Sequence, residues 1–290
     1  MLNSIGIKII MPNKQSHNII NRLKNNYNIK NDFTLNLLSE SYLFINKMES
    51  HAINFSVLEE NKDHLILKIN NFEVYAESVE DIFILSEVFI DKDYNFLSNE
   101  EYVFLDIGTN IGITSLFLST KENIKAIYGF EPVPYTYKIA IGNLKRNNIS
   151  NVEIKNIGLG GFSRKEEFVF NSKLKGNSGL RGEASFSIRN LKDKEKTIVS
   201  VDIIDVSEEF LKIKKIHPQE KIGLKIDCEG GEYEIIDKLD LDGLLDQVNV
   251  LIIEWHDKGA EHIEDILIKN KFKIFSRVLE TNSGIIYASK

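Results

Sequence analysis

From residue 102 onward the chain alternates short, near-continuous apolar runs with amphipathic stretches, and this pattern limits the possible folds more than any other feature. The runs lie at residues 102–107, 126–130, 152–157, 222–226 and 248–253. Helical spacing follows several of them, at 113–119, 137–147 and 232–239. Strands that are apolar on both sides need cover on both faces, so the pattern predicts an α/β fold with a mostly parallel sheet between helical layers. The end of the chain breaks the alternation. Residues 271–275 and 284–288 are separated by a polar turn rather than a helix, which predicts an antiparallel pair. Residues 166–171 and 197–203 read as strands inserted before the fourth parallel strand. The glycine-bearing segment between them is long for a simple connection and reads as a mobile substrate loop.

The most informative segment is YVFLDIGTNIGITSLFL, in which an apolar strand runs into Asp106, Gly108, Asn110 and Gly112 and then into a helix. Glycines there allow turn conformations and close backbone approach to a ligand, and the helix start presents unpaired N–H groups. The spacing is D-x-G-x-N-x-G; neither the dinucleotide fingerprint nor a phosphate loop is present. The pattern fits S-adenosylmethionine, which carries no phosphate but presents an amino-acid head, a ribose and an adenine. Glu131, 25 residues beyond Asp106, ends the next apolar strand, where a carboxylate can accept hydrogen bonds from both ribose hydroxyls. Asp106 and Glu131 also have plainer readings, as a strand-end turn former and a helix-entry charge.

Methyl transfer from a sulfonium needs alignment of the acceptor opposite the departing sulfur, and a weakly nucleophilic hydroxyl benefits from a general base. Candidates belong at the carboxyl ends of the central strands. Asp227 ends the strand IGLKI, and Glu229 and Glu232 follow around Gly230 and Gly231. Three carboxylates this close should repel one another and raise at least one pKa. The strand LIIEWHD places Glu254 and His256 on one side and Trp255 on the other. His256 is a candidate base because its unperturbed pKa lies near neutrality. We therefore assign Asp227, Glu229 and His256 to catalysis and Glu232 and Glu254 to substrate binding, with helix capping as the plainer role for Glu232. Asp227, Glu229, Glu254 and His256 also offer metal donors, but no compact H-x-E or H-x-x-x-H signature occurs and no metal is expected. Cys228, between two acids, is disfavoured as a thiolate. Arg181 and Arg189 read as solvated loop charges, or as contacts for an anionic acceptor.

The runs LDIGTNIGITS, FEPVPYTYKIAIGNLKRNN, LKIDCEGGEYEII and LIIEWH, together with VSVDIID, resemble the FkbM family of methyltransferases in content and order across roughly residues 100–260. The resemblance implies a class I methyltransferase fold, a Rossmann-like seven-stranded sheet with its last strand antiparallel, using S-adenosylmethionine and usually methylating oxygen. It implies that Asp106, Gly108, Asn110, Gly112 and Glu131 line the cofactor site, and it does not oblige a metal. Family tendency and the carboxylate-rich site favour a sugar hydroxyl of a bacterial surface polysaccharide or its nucleotide-linked precursor. A lipid, polyketide or amine acceptor, or a non-catalytic binding module on the same fold, stay open.

The first 50 residues differ from the rest: ten are Asn, and six Lys or Arg face three Asp or Glu. We divide the chain into a helical and hairpin extension, 1–95, and a methyltransferase domain, 96–290. The Asn-Asn within residues 65–76 marks the hairpin, and residues 79–90 have helical spacing. The extension either packs on the core or serves as a dimerisation or acceptor-docking arm, so a homodimer through it is one expectation. A formal charge of −7 argues against a general nucleic-acid binder. One cysteine excludes an internal disulfide framework. No membrane-length apolar run and no signal peptide are read, which makes a cytoplasmic location the default.

Overall fold

The computed structural model describes residues 13–290. The expectation about a leader falls largely on residues 1–12, outside the described residues. The chain opens with helices α1 (Asn13–Tyr27), α2 (Asp32–Glu40) and α3 (Tyr42–Ser50). An antiparallel sheet of β1 (Phe55–Glu60), β2 (Leu65–Ile69) and β3 (Phe72–Ala76) follows. Asn70, at the expected hairpin turn, has φ 52°, a left-handed conformation that Asn tolerates. Helix α4 (Val79–Ser86) starts in a capping box between Ser78 and Asp81. It does not run to residue 90 as an α-helix, because its end widens into a π-turn, Glu87–Asp91.

The large sheet contains β4 (Tyr102–Ile107), β5 (Ile124–Phe130), β6 (Val152–Lys155), β10 (Lys221–Ile226), β11 (Val248–His256), β12 (Lys273–Glu280) and β13 (Ser283–Ser289). Its order is β12-β13-β11-β10-β4-β5-β6, and only β13 runs against its neighbours. Between β6 and β10 stand β7 (Gly158–Gly160), β8 (Arg164–Phe170) and β9 (Thr197–Asp205), which form a separate small sheet. The apolar run at 152–157 is thus shared out: its start joins the large sheet, and the chain then turns into β7.

Alternate residues of the large sheet feed two cores. Val103, Leu105, Ile107, Leu224 and Ile226 face α7 (Val206–Ile216), α8 (Glu232–Leu241) and α9 (Glu261–Lys269). Phe104, Ile127, Ile154, Ile252 and Ile285 belong to the other core, which also contains α5 (Ile113–Leu118), α6 (Pro134–Arg146) and the apolar side of residues 19–96. The extension is therefore part of one of the two layers the sheet requires. No helix of the described residues is long and apolar enough to cross a membrane.

Candidate active site

The carboxyl ends of β4, β5 and β10 open into one cleft whose lining includes Gly108, Asn110, Glu131, Gly158, Asp227 and Glu229. Gly108 has φ +79°, and a Cβ on it would lie 1.7 Å from the Asp227 carbonyl oxygen. The close approach expected of this glycine is thus first of all an approach of the chain to itself, which seats the β4 and β10 loops against each other. Asn110 follows at φ 51°. Its backbone N–H donates to Glu131 Oε2 at 3.0 Å, and the Val133 N–H donates to Oε1 at 2.9 Å. Burial pushes the Glu131 carboxyl up to about 7 against the pull of these amides. Asn110 Oδ1 is buried without a hydrogen-bond partner. Gly112 stands at the α5 N-cap with φ 87° and is not among the cleft-lining residues.

Asp106 is fully buried and does not line the cleft. Its Oδ2 accepts from Ser115 Oγ at 2.5 Å, and Oδ1 lies 3.3 Å from Nζ of Lys225. Lys225, only 2% exposed, also donates to the Gly108 carbonyl at 2.6 Å and stands 3.6 Å from Asp227 Oδ2. Burial works against its charge, but Asp106 and Asp227 outweigh burial and raise its pKa. This lysine ties the ends of β4 and β10 together. A lysine inside the apolar run GLKI was the available sequence signal.

Beside Asp227, Tyr94 Oη lies 3.1 Å from its Oδ2 and 3.2 Å from Glu254 Oε2. A phenol has one proton to donate, so only one of these carboxylates can receive it. Burial, followed by the Asp227 charge, holds the Glu254 carboxyl above its usual range. Glu87, on the π-turn, is raised well above its usual range by burial and then by Glu254, Asp93 and Asp227. Such turns recur at functional sites. Neither Tyr94 nor Glu87 is legible as a site residue in the sequence.

His256, a candidate base by sequence, is enclosed by carboxylates. It is 4% exposed, with Nδ1 3.3 Å from Glu232 Oε1 and Nε2 3.6 and 3.7 Å from Glu254 and Glu229. Burial lowers its pKa, but these carboxylates outweigh burial and hold it well above the ordinary imidazole value. Glu232, expected to hold substrate, is fully buried. Its oxygens accept from the backbone N–H of Gly230 and of His256, both at 2.8 Å, so it organises the loop instead. Glu229, at φ 52°, is pushed up to about 7, chiefly by burial, with His256 and Arg181 opposing. The Cys228 thiol is raised well above its usual value by burial and then by Glu232 and Asp227.

Arg181 is not a solvated loop charge. It donates to Glu229 Oε2 at 2.7 Å and bidentately to Asp257 at 2.7 and 2.9 Å, with its side chain 13% exposed. The same segment is fastened upstream. Lys175 Nζ reaches Glu77 Oε1 at 3.0 Å and Asp81 Oδ2 at 3.1 Å, and its side chain is sealed from solvent. Glu80 accepts from the Gly176 N–H at 3.0 Å and from Asn177 Nδ2 at 2.9 Å. Lys175, Gly176, Ser178 and Leu180 line the cleft, so the loop read as mobile is a pinned wall of it.

A seven-stranded sheet with one reversed strand next to its edge, and a ligand cleft at the carboxyl ends of its central strands, defines the Rossmann-like class I methyltransferase fold. The FkbM methyltransferase domain model matches residues 106–274, more than half of the chain, which therefore belongs to that methyltransferase family. Methyltransferase 1 of Beauveria bassiana (strain ARSEF 2860) is 29% identical over 219 residues, covering 70% of this chain and 86% of that protein. Methyltransferase sdnD of Sordaria araneosa is 26% identical over 226 residues, covering 71% and 87%. Among solved structures, Methyltransferase FkbM from Methylobacillus flagellatus KT aligns with a TM-score of 0.45 at 12% identity. That alignment covers 94% of this chain and 59% of the neighbour's.

Proposed function

We propose that the protein is an S-adenosylmethionine-dependent O-methyltransferase whose acceptor is a sugar hydroxyl, in a bacterial surface polysaccharide or its nucleotide-linked precursor. The observation that carries this reading is that Glu131 and Asp227 line one cleft. Glu131, held by two backbone amides, retains lone pairs for a ribose diol. The unpartnered Asn110 Oδ1 is an acceptor awaiting a donor. These residues fit the cofactor; Asp106 and Gly112 would support its cradle from behind rather than touch it. Bound there, S-adenosylmethionine supplies an activated methyl group.

The chain's own work is to align the acceptor and remove its proton. Asp227, with Tyr94 and Lys225 fixing Oδ2, is placed to take the hydroxyl proton on its carboxylate. Glu229 and Glu254 are placed to accept from neighbouring hydroxyls, as suits a polyol. Glu232 and His256 position this group rather than react. The same excess of carboxylates favours, as a second reading, an amine acceptor.

The protein should be incubated with trideuteromethyl S-adenosylmethionine and a panel of sugar nucleotides, surface glycans and amino sugars. Mass spectrometry should find the label on a sugar oxygen. Label on nitrogen would support the amine reading, and no labelled product from any hydroxylated acceptor would count against both the oxygen and the sugar assignments.

A further inference from the structure

The ends of β10 and β11 bring together donors that are scattered in the sequence. One ligand atom each from Asp227, Glu254 and His256 lies within 4.8 Å of the others. Glu229 joins them, with Oε1 3.7 Å from His256 Nε2, while Glu254 Oε1 is 3.6 Å from the same nitrogen. Both separations exceed hydrogen-bond length. A ring nitrogen on a buried side chain, 4% exposed, therefore points into two carboxylate oxygens at ion-pair distance. The opposite nitrogen faces Glu232, which is itself fixed by the Gly230 and His256 backbone amides. An imidazole steadied through one nitrogen by a held carboxylate, with the other nitrogen aimed at oxygens, is the arrangement that metal-ligating histidines adopt.

The neighbouring cations are partly engaged elsewhere. Lys225 is shared among Asp106, the Gly108 carbonyl and, at 3.6 Å, Asp227 Oδ2, and Arg181 is divided between Glu229 Oε2 and Asp257. That leaves Glu229 Oε1, Glu254 and the Oδ1 of Asp227 facing one imidazole. Drawing such donors to bonds of about 2.1 Å requires only side-chain movements of an ångström or so.

We propose that Asp227, Glu254 and His256 Nε2, with Glu229 beside them, bind one divalent cation of the Mn2+ or Mg2+ type on the acceptor side of the cleft. Carboxylate oxygens with a single imidazole suit hard divalent ions, Mn2+ more than Ca2+. The cation takes the place of the Nε2 proton and brings two charges to the carboxylates where the proton brings one. Its role rests on the methyl-transfer reading: it holds the acceptor hydroxyl oxygen and makes that hydroxyl more acidic. Its binding does not rest on that reading.

The test uses full-length protein stripped with EDTA and desalted, then titrated with MnCl2 by calorimetry and by loss of the free Mn2+ paramagnetic signal. S-adenosylhomocysteine binding is measured on the same preparation. One Mn2+ per chain is expected. Glu254→Gln and Asp227→Asn, each shown to fold by its urea transition, should weaken it at least tenfold. Asp246→Asn, on a side chain 83% exposed, should leave it unchanged. Absence of Mn2+ binding by the folded protein, or wild-type binding in both carboxylate variants, overturns the inference. If S-adenosylhomocysteine still binds in that case, the methyl-transfer reading stands without the ion. Mn2+ binding without S-adenosylhomocysteine binding upholds the ion and counts against the cofactor reading.

Discussion

Lys225 carries a positive charge into the middle of the sheet, where the β10–β4 register sets it opposite Asp106 and within reach of the Gly108 carbonyl and Asp227. Breaking one side of a buried ion pair leaves the other charge without water or partner. Lys225→Met should accordingly cost about 3–5 kcal/mol in urea unfolding, and a loss below about 1 kcal/mol would contradict the pairing. Glu131 makes a different prediction. Its buried carboxyl titrates near 7, and a ribose diol donates to the ionised form, so binding selects the carboxylate. S-adenosylhomocysteine affinity should be full above pH 7 and fall as pH drops through it, by up to about tenfold per unit. Calorimetry at pH 6 and 8 checks this, and Glu131→Gln should flatten the dependence. The acids at strand ends were legible because a strand's last residue is placed by topology alone. Tyr94 and Glu87 were not, since they reach Asp227 and Glu254 from more than 130 residues away. His256 was legible beside Glu254 on one strand, whereas its closeness to Glu229 and Glu232, more than 20 residues earlier, was not.

At the scale of elements, the first turn of α4 and the segment at 175–181 act together. Glu77, Glu80 and Asp81 hold Lys175, Gly176 and Asn177, while Arg181 fastens the far end to Glu229 and Asp257. Glycines and mixed polarity read as mobility when the partners belong to a part of the chain about 95 residues earlier. Lys175→Met should free this wall of the cleft. The expected result is a KM for S-adenosylmethionine raised about tenfold, near 1.4 kcal/mol, with a smaller change in kcat. New protease cleavage within 172–190 should accompany it. An unchanged KM and cleavage pattern would mean the clamp does not shape the cofactor side. Gly108→Val drives a Cβ into the Asp227 carbonyl, so it should abolish S-adenosylhomocysteine binding; normal affinity there would contradict the packed turn.

For the whole molecule, residues 1–95 change meaning once the two cores are separated. The sheet order was legible because each buried strand declares itself, and the final antiparallel pair by its missing helix. Which segment covers which face was not, since Leu38, Met48, Leu67 and Val88 are apolar in the same way whether they meet Phe104 and Ile252 or a second chain. Asn143 of α6 and Asn147 at its C-cap supply partners for the backbone of β3 at Tyr75 and Glu73, so the junction is hydrogen-bonded as well as apolar. A chain beginning at residue 96 should lose its cooperative urea transition, whereas a separable domain would keep it. The central claim, that the cleft between Glu131 and Asp227 takes the methyl cofactor, is tested most directly by calorimetry of the full chain with S-adenosylhomocysteine and with NAD. One S-adenosylhomocysteine should bind per chain, at least tenfold more weakly in Glu131→Ala, and NAD should not bind. A folded protein that binds neither S-adenosylmethionine nor S-adenosylhomocysteine would contradict the account.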